Sequence, residues 1–282
     1  MNLSSAAHGA DECSSWPSPT RRFVVVGGLR LSFLDWGGSG RPVLLVHGVG
    51  GNAWMWGPVS KRLQGEHRLL ALDLRGYGES QWSKERRYRT KDHASDVTGV
   101  ASSLGVEEFD LVGFSWGGLI ALSASSNDPE RVGRLAMIDI APSSTLPEDA
   151  IPPNFRSDFD DHDDAVDAER ALAPRATEAT LDFLAGHGSR PSVRGGLERK
   201  IDPYLVQRWP FRSDNLWSEL RAISQPTLVI RAAESPVLSS AEAEDMGAIP
   251  HVTVRTVLEA GHLVVAERPD SVADHLSAFL AR

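Results

Sequence analysis

The chain has 282 residues, 41% hydrophobic and 24% charged, with a net charge of −9. These figures describe a folded globular protein and exclude a disordered chain, a collagen-like chain and a small disulfide scaffold. The negative balance argues against a nucleic-acid partner, and with one cysteine, Cys13, neither an internal disulfide nor a cysteine-cluster metal site can form.

Residues 1–20 are small, polar and aperiodic, and they carry neither the basic n-region nor the apolar run of a signal peptide. They are read as a mobile tail in which His8, Asp11 and Cys13 are solvated. No stretch approaches the roughly 18 apolar residues of a membrane span, so a cytoplasmic protein is expected.

Ordered structure is expected from about residue 22. Two β-rich runs at 23–26 and 29–36 are separated by Gly27-Gly28, a hairpin signal. The apolar run PVLLV (42–46) reads as a strand buried on both faces. A helix is predicted over 54–63, a buried strand over 68–73 and a helix over 90–104. A strand at 109–112 and a small-residue helix at 116–126 follow, then a strand at 134–140. Residues 143–222 are rich in Asp, Arg and Pro and show no buried strand. The alternation resumes with a strand at 227–230, a helix at 241–246, a strand at 252–257 and an amphipathic helix at 270–280. Such alternation implies a mainly parallel sheet covered on both faces. The core is then 21–142 plus 223–282, and 143–222 is a cap inserted above the strand ends, where ligand sites of open α/β sheets lie. The acidic run 157–170 is read as a solvated cap surface rather than a metal site at Asp160, His162 and Asp164.

GFSWGG (113–118) fits G-x-S-x-G between a buried strand and a helix, the setting that presents a serine on a sharp turn. Ser115 is the expected nucleophile. HGVGG (47–51) follows the PVLLV strand, and its glycines let the backbone approach a ligand. The N–H groups of Val49 and of Trp116 are the expected oxyanion donors. His47 is assigned a structural role in that loop. His262 lies just after the last strand, on a loop that reaches back over the sheet, and neutral imidazole suits a general base. His67, His93, His251 and His275 are expected to be solvated or capping. Asp73 is expected to hold its own turn together with Arg75.

With HGVGG, DLRGYGES (73–80), GFSWGG and AGH (260–262) in that order, residues 22–282 resemble the α/β-hydrolase superfamily. The resemblance implies a mostly parallel eight-stranded sheet flanked by helices, with a helical cap insertion. In most members the triad acid follows the strand here written TLVI (227–230). That position falls on Ser235, with Glu234 adjacent. A second place for the acid is the end of the preceding strand. The D-I-A-P at 139–142 together with S-P at 235–236 is similar to a subgroup of small esterases in which the strand-end Asp serves and the serine assists the histidine. Asp139 is therefore the expected acid, Ser235 its possible support and Glu234 the alternative. A serine at position 115 argues against the epoxide-hydrolase and haloalkane-dehalogenase branches. No metal or organic cofactor is implied.

Trp54, Trp56, Phe155, Trp209, Phe211 and Trp217 are the expected substrate-binding residues, an aromatic and apolar lining. The substrate is then an apolar or aromatic ester, thioester or lactone. Two rivals stay open: another reaction on the same residues (a lyase, a C–C bond hydrolase or a cofactor-free oxygenase) and a non-catalytic small-molecule binding protein.

Overall fold

The computed structural model describes residues 17–65, 67–143, 155–207, 211 and 213–281. The core strands are β1 (Thr20–Val26), β2 (Leu29–Asp35), β3 (Pro42–Val46), β4 (Arg68–Leu72), β5 (Phe109–Phe114) and β6 (Val132–Ile138), with β10 (Thr227–Ala232) and β11 (Val252–Val257) after the cap. Among the described residues these eight form one sheet in the order β1-β2-β4-β3-β5-β6-β10-β11. β1 and β2 pair antiparallel through the Gly27-Gly28 turn, where both glycines have positive φ (56° and 82°), as a tight hairpin turn needs. β2 also runs antiparallel to β4, and all later pairings are parallel.

Apolar runs without polar alternation give strands buried on both faces. In β3, Val43 and Leu45 enter one hydrophobic cluster and Leu44 and Val46 the other. The first face is covered by α1 (Gly57–Leu63), which follows a 3-10 turn at Ala53–Trp56, and by α9 (Val264–Glu267) and α10 (Pro269–Leu280). The second is covered by α2 (Thr90–Ser103), α3 (Trp116–Asn127), α7 (Trp217–Ala222) and α8 (Ser240–Gly247).

The cap contains α4 (His162–Leu172), α5 (Glu178–Gly188) and α6 (Pro203–Gln207). It also holds three strands that the sequence did not suggest: β7 (Asp158–Phe159), β8 (Ser189–Pro191) and β9 (Leu197–Arg199), paired antiparallel in the order β7-β9-β8. Strands of two or three residues are too short to show a period, so this cap is not purely helical. The chain leaves and rejoins the core side by side, where Ser143 bridges Asn215. α7 accordingly packs on the core, with Leu220 in the main cluster.

β3 is the topological switch point, because the chain proceeds from it to β4 on one side and then to β5 on the other. Val46 pairs with Gly113, so the loops leaving β3 and β5 emerge together.

Candidate active site

Ser115 sits between β5 and α3 with φ 52° and ψ −127°, a region that costs a non-glycine residue on the order of 1–3 kcal/mol. The turn is held by bonds from Ser115 N–H to the Ile138 carbonyl and from Gly118 N–H to the Ser115 carbonyl, both 2.8 Å. Its flanking glycines are required by contact. A Cβ on Gly113 would lie 2.1 Å from the Gly117 carbonyl oxygen, and one on Gly117 would lie 2.2 Å from that of Val46.

His262 follows β11, on a loop fixed by a 2.6 Å bond from Gly261 N–H to the buried carboxylate of Glu267. Its Nε2 is 2.9 Å from Ser115 Oγ and its Nδ1 is 2.7 Å from Asp139 Oδ2. An acceptor at Nδ1 places the ring proton there and leaves Nε2 to accept from the serine hydroxyl. Asp139 is fully buried at the end of β6, with φ 52°. Its N–H donates to the Ile230 carbonyl (2.7 Å), and its Oδ1 accepts from Ala232 N–H at 2.9 Å. Each carboxylate oxygen therefore has a partner, and the bonds to β10 hold Oδ2 toward the imidazole.

The alternative acid points elsewhere. Glu234 is partly exposed and pairs with Arg175 of the cap. Ser235 Oγ accepts from Val237 N–H at 3.1 Å, and no hydrogen bond among the described residues joins it to His262.

Trp116 opens α3, so its N–H belongs to the first turn, which lacks an intrahelical acceptor. Val49 lines the cavity above Ser115. Beneath that loop His47 is fully buried, with Nδ1 2.7 Å from the Gly48 carbonyl and Nε2 accepting from Leu74 N–H at 3.1 Å. Burial pushes its pKa down to about 4, so it stays neutral and serves as a strut.

Asp73 braces the same region with other partners than expected. Its carboxylate accepts from Ala53 N–H, Glu79 N–H and Arg21. Arg75 instead forms a buried bidentate pair with Asp96, at 2.5 and 2.6 Å. His67 and His93 are buried rather than solvated, and neither ring nitrogen has a partner among the described residues. His93 shares the inner face of α2 with Val97 and Val100 and meets the Trp116 ring edge-on at 4.6 Å.

A cavity of about 470 Å³ opens over Ser115 and His262. Of the aromatic residues singled out from the sequence, Phe155 and Phe211 line it. Trp56 does not, because it lies at zero exposure in the core just before α1. Trp54 is spent on cap packing, stacked on His187 at 4.0 Å and edge-on to Phe183. Trp217 ties the cap exit to its entry through Nε1 to Ser143 Oγ at 3.2 Å. Trp209 lies outside the described residues. The Trp116 ring is buried, donates to Thr90 Oγ1 at 2.8 Å and stacks on Phe211. The remaining wall includes Met55, Leu172, Leu184 and Val237, with Glu169 and Arg199 as a charged pair. Sequence reading missed that pair, since nothing in two charges spaced 30 apart distinguishes them from a solvated cap surface. Glu267 was missed for the same reason.

With this geometry in place, the comparison with known proteins is direct. Residues 41–269 match the profile of the alpha/beta hydrolase fold. The chain belongs to the α/β-hydrolase family. Within it, the chain is 27% identical to an esterase of Mycobacterium tuberculosis, over 94% of this chain and 90% of that one. It is 29% identical to a 2-hydroxymuconate semialdehyde hydrolase of a Pseudomonas species, over 92% and 93%. In structure it is similar to E-2-(acetamidomethylene)succinate hydrolase, with a TM-score of 0.81, 23% identity and coverage of 94% and 100%. This α/β-hydrolase is an enzyme of the hydrolase kind. Among its described residues no helix is long and apolar enough to cross a membrane.

Proposed function

We propose that this chain hydrolyses a small ester, thioester or lactone with a mainly apolar acyl group through Ser115, His262 and Asp139. The observation that carries this reading is the 2.9 Å contact between Ser115 Oγ and His262 Nε2 at the floor of an apolar cavity. In the first step Oγ attacks the carbonyl carbon while Nε2 takes its proton. The oxyanion is held by the N–H groups of Val49 and Trp116, each worth about 3–4 kcal/mol by comparison with measured oxyanion holes. The imidazolium, stabilised by Asp139, returns the proton to the leaving oxygen or sulfur. The leaving group departs and an acyl-enzyme remains. Water then repeats the sequence with His262 as base, releasing the acid and restoring the Ser115 hydroxyl.

The similarity to the esterase supports this chemistry. The similarity to the semialdehyde hydrolase favours a second reading, in which the same residues hydrolyse a C–C bond beside a carbonyl rather than an ester. Labelling with a fluorophosphonate and turnover of p-nitrophenyl esters test the proposal together. Labelling and turnover that both vanish in Ser115→Ala are expected. Labelling of Ser115 without turnover of any ester favours the second reading. An unlabelled protein without turnover refutes serine catalysis.

A further inference from the structure

Arg199 ends β9 in the cap and reaches into the wall of the cavity. Its side chain is 5% exposed. Nη1 donates to Glu169 Oε1 at 2.6 Å and, more weakly, to the carbonyl of Gly50 at 3.4 Å. Nε donates to the Arg156 carbonyl at 3.0 Å. The guanidinium lies 5.3 Å from the Phe155 ring and 5.4 Å from that of Phe159. Nη2, by contrast, is buried and has no partner among the described residues. Guanidinium carries five N–H donors in a fixed fork, so bonding Nε and Nη1 to the protein fixes where the two N–H groups of Nη2 point.

A buried donor without an acceptor is costly, and in a native protein it calls for an explanation. A buried ion pair is also a poor device for stability, since apolar side chains of the same volume commonly do as well. Both costs fall on a residue bonded to Gly50, next to Val49, in a cap whose other cavity-facing side chains include Leu172 and Leu184. A ligand acceptor at Nη2 would remove the first cost.

The charges around it choose the kind of acceptor. The cavity wall holds two carboxylates, Glu169 and Glu242, against the one guanidinium of Arg199, which Glu169 already neutralises. An anionic group would add a third negative charge to a wall with one guanidinium, whereas a neutral carbonyl needs only the spare N–H.

We infer that Arg199 is a substrate-recognition residue whose Nη2 donates to a neutral oxo or amide carbonyl on the acyl group, away from the carbon that Ser115 attacks. This rests on the reading of the cavity as an acyl site above Ser115. It narrows the substrate class from hydrocarbon acyl groups to oxo- or amide-bearing ones.

Three p-nitrophenyl esters of matched chain length test it: hexanoate, 5-oxohexanoate and the hydrogen glutarate. In the wild type kcat/KM for the oxo ester should exceed that for hexanoate by about tenfold, the net value of one hydrogen bond. The ratio should fall to within about twofold of unity in Arg199→Met. Because that change strands Glu169, the double variant Arg199→Met/Glu169→Met removes both charges together and should show the same loss of preference. An unchanged ratio in the double variant overturns the inference. So does a wild type that prefers the glutarate monoester, which would mark an anion site. If the wild type hydrolyses none of the three, the ester-hydrolysis reading fails separately. Calorimetry with 2,6-heptanedione and 2-heptanone then decides the role of Arg199. Tighter binding of the diketone, lost in the double variant, supports it. Equal affinity, or no binding, overturns it.

Discussion

The imidazole of His262 and the carboxylate of Asp139 lie 123 residues apart in the chain and 2.7 Å apart in space. The carboxylate reaches the ring because Asp139 leaves β6 with a positive φ while its backbone and Oδ1 remain bonded to β10. Glu234, one loop away, is turned outward to Arg175. Asp139→Asn keeps the shape but replaces an acceptor by a donor or a weaker acceptor at Nδ1, so it disfavours the productive tautomer. It should lower kcat for ester hydrolysis by about 10³–10⁴-fold. Glu234→Gln should stay within about twofold, since it alters an exposed ion pair. Steady-state kinetics of the two variants side by side decide between the carboxylates, and a larger loss in Glu234→Gln would reverse the assignment.

Gly117 touches the end of β3 rather than open space. A methyl group there would approach the Val46 carbonyl oxygen to 2.2 Å and that of His47 to 2.6 Å, both backbone atoms that have no rotamer to change. Gly117→Ala should therefore displace α3 from the sheet, costing about 3 kcal/mol or more, the upper range of overpacking. Thermal unfolding reads the loss directly. A variant with the wild-type melting temperature would show that the turn is looser than these distances imply.

What the sequence made legible follows from the length scale of each signal. β3 is a continuous apolar run, β5 is apolar apart from Asp110, and the G-x-S-x-G turn joins a strand to a helix, so sheet, switch point and Ser115 all lie in local order. His262 was legible from its place after the last strand. Residues whose role depends on distant partners were not. Arg75 sits two residues from Asp73, yet pairs with Asp96 on α2. Trp56 has the composition of a pocket residue, but its position before α1 turns it into the core. The strands β7 to β9 exist only through pairing with one another, so their local sequence carries no period.

The two aromatic side chains Trp56 and Phe155 offer a contrast between packing and recognition. Trp56 is fully buried in the hydrophobic cluster it shares with residues of α1 and β3. Trp56→Ala should cost about 3–5 kcal/mol of stability through the cavity it leaves. The acyl-chain preference of whatever folds should not change. Phe155 lines the cavity against Gly50, where its ring fills the space a Cβ would need. Phe155→Ala should enlarge that wall and shift kcat/KM toward longer or bulkier acyl esters. Denaturant titration and a chain-length series on both variants separate the effects. A changed chain-length profile in Trp56→Ala would place that ring at the cavity after all.

Three histidines wholly or partly withdrawn from water favour the folded state at higher pH. Burial holds His47 at about 4 and also lowers His187 to about 4, against an ordinary value of 6.5, and it carries His93 well below that value. In the unfolded chain these rings take up protons as pH falls through 6.5, while the folded protein resists until near 4. Over that window the unfolded state binds more protons at these rings, so their contribution to stability is full above about 6.5 and is lost as pH falls. For His47 the geometry explains the resistance, because a protonated Nε2 would face the N–H of Leu74 that it now accepts. His47→Gln should be less stable near pH 7.5, having lost part of this bonding. It should also lose about 2 kcal/mol less than the wild type between about pH 7.5 and 5, from the 1.4 kcal/mol carried by each pH unit below 6.5. Urea unfolding of both proteins at the two pH values measures the difference. Parallel declines would mean that His47 is protonated in the fold, and that the loop carrying Val49 rests on a charged ring rather than a neutral one.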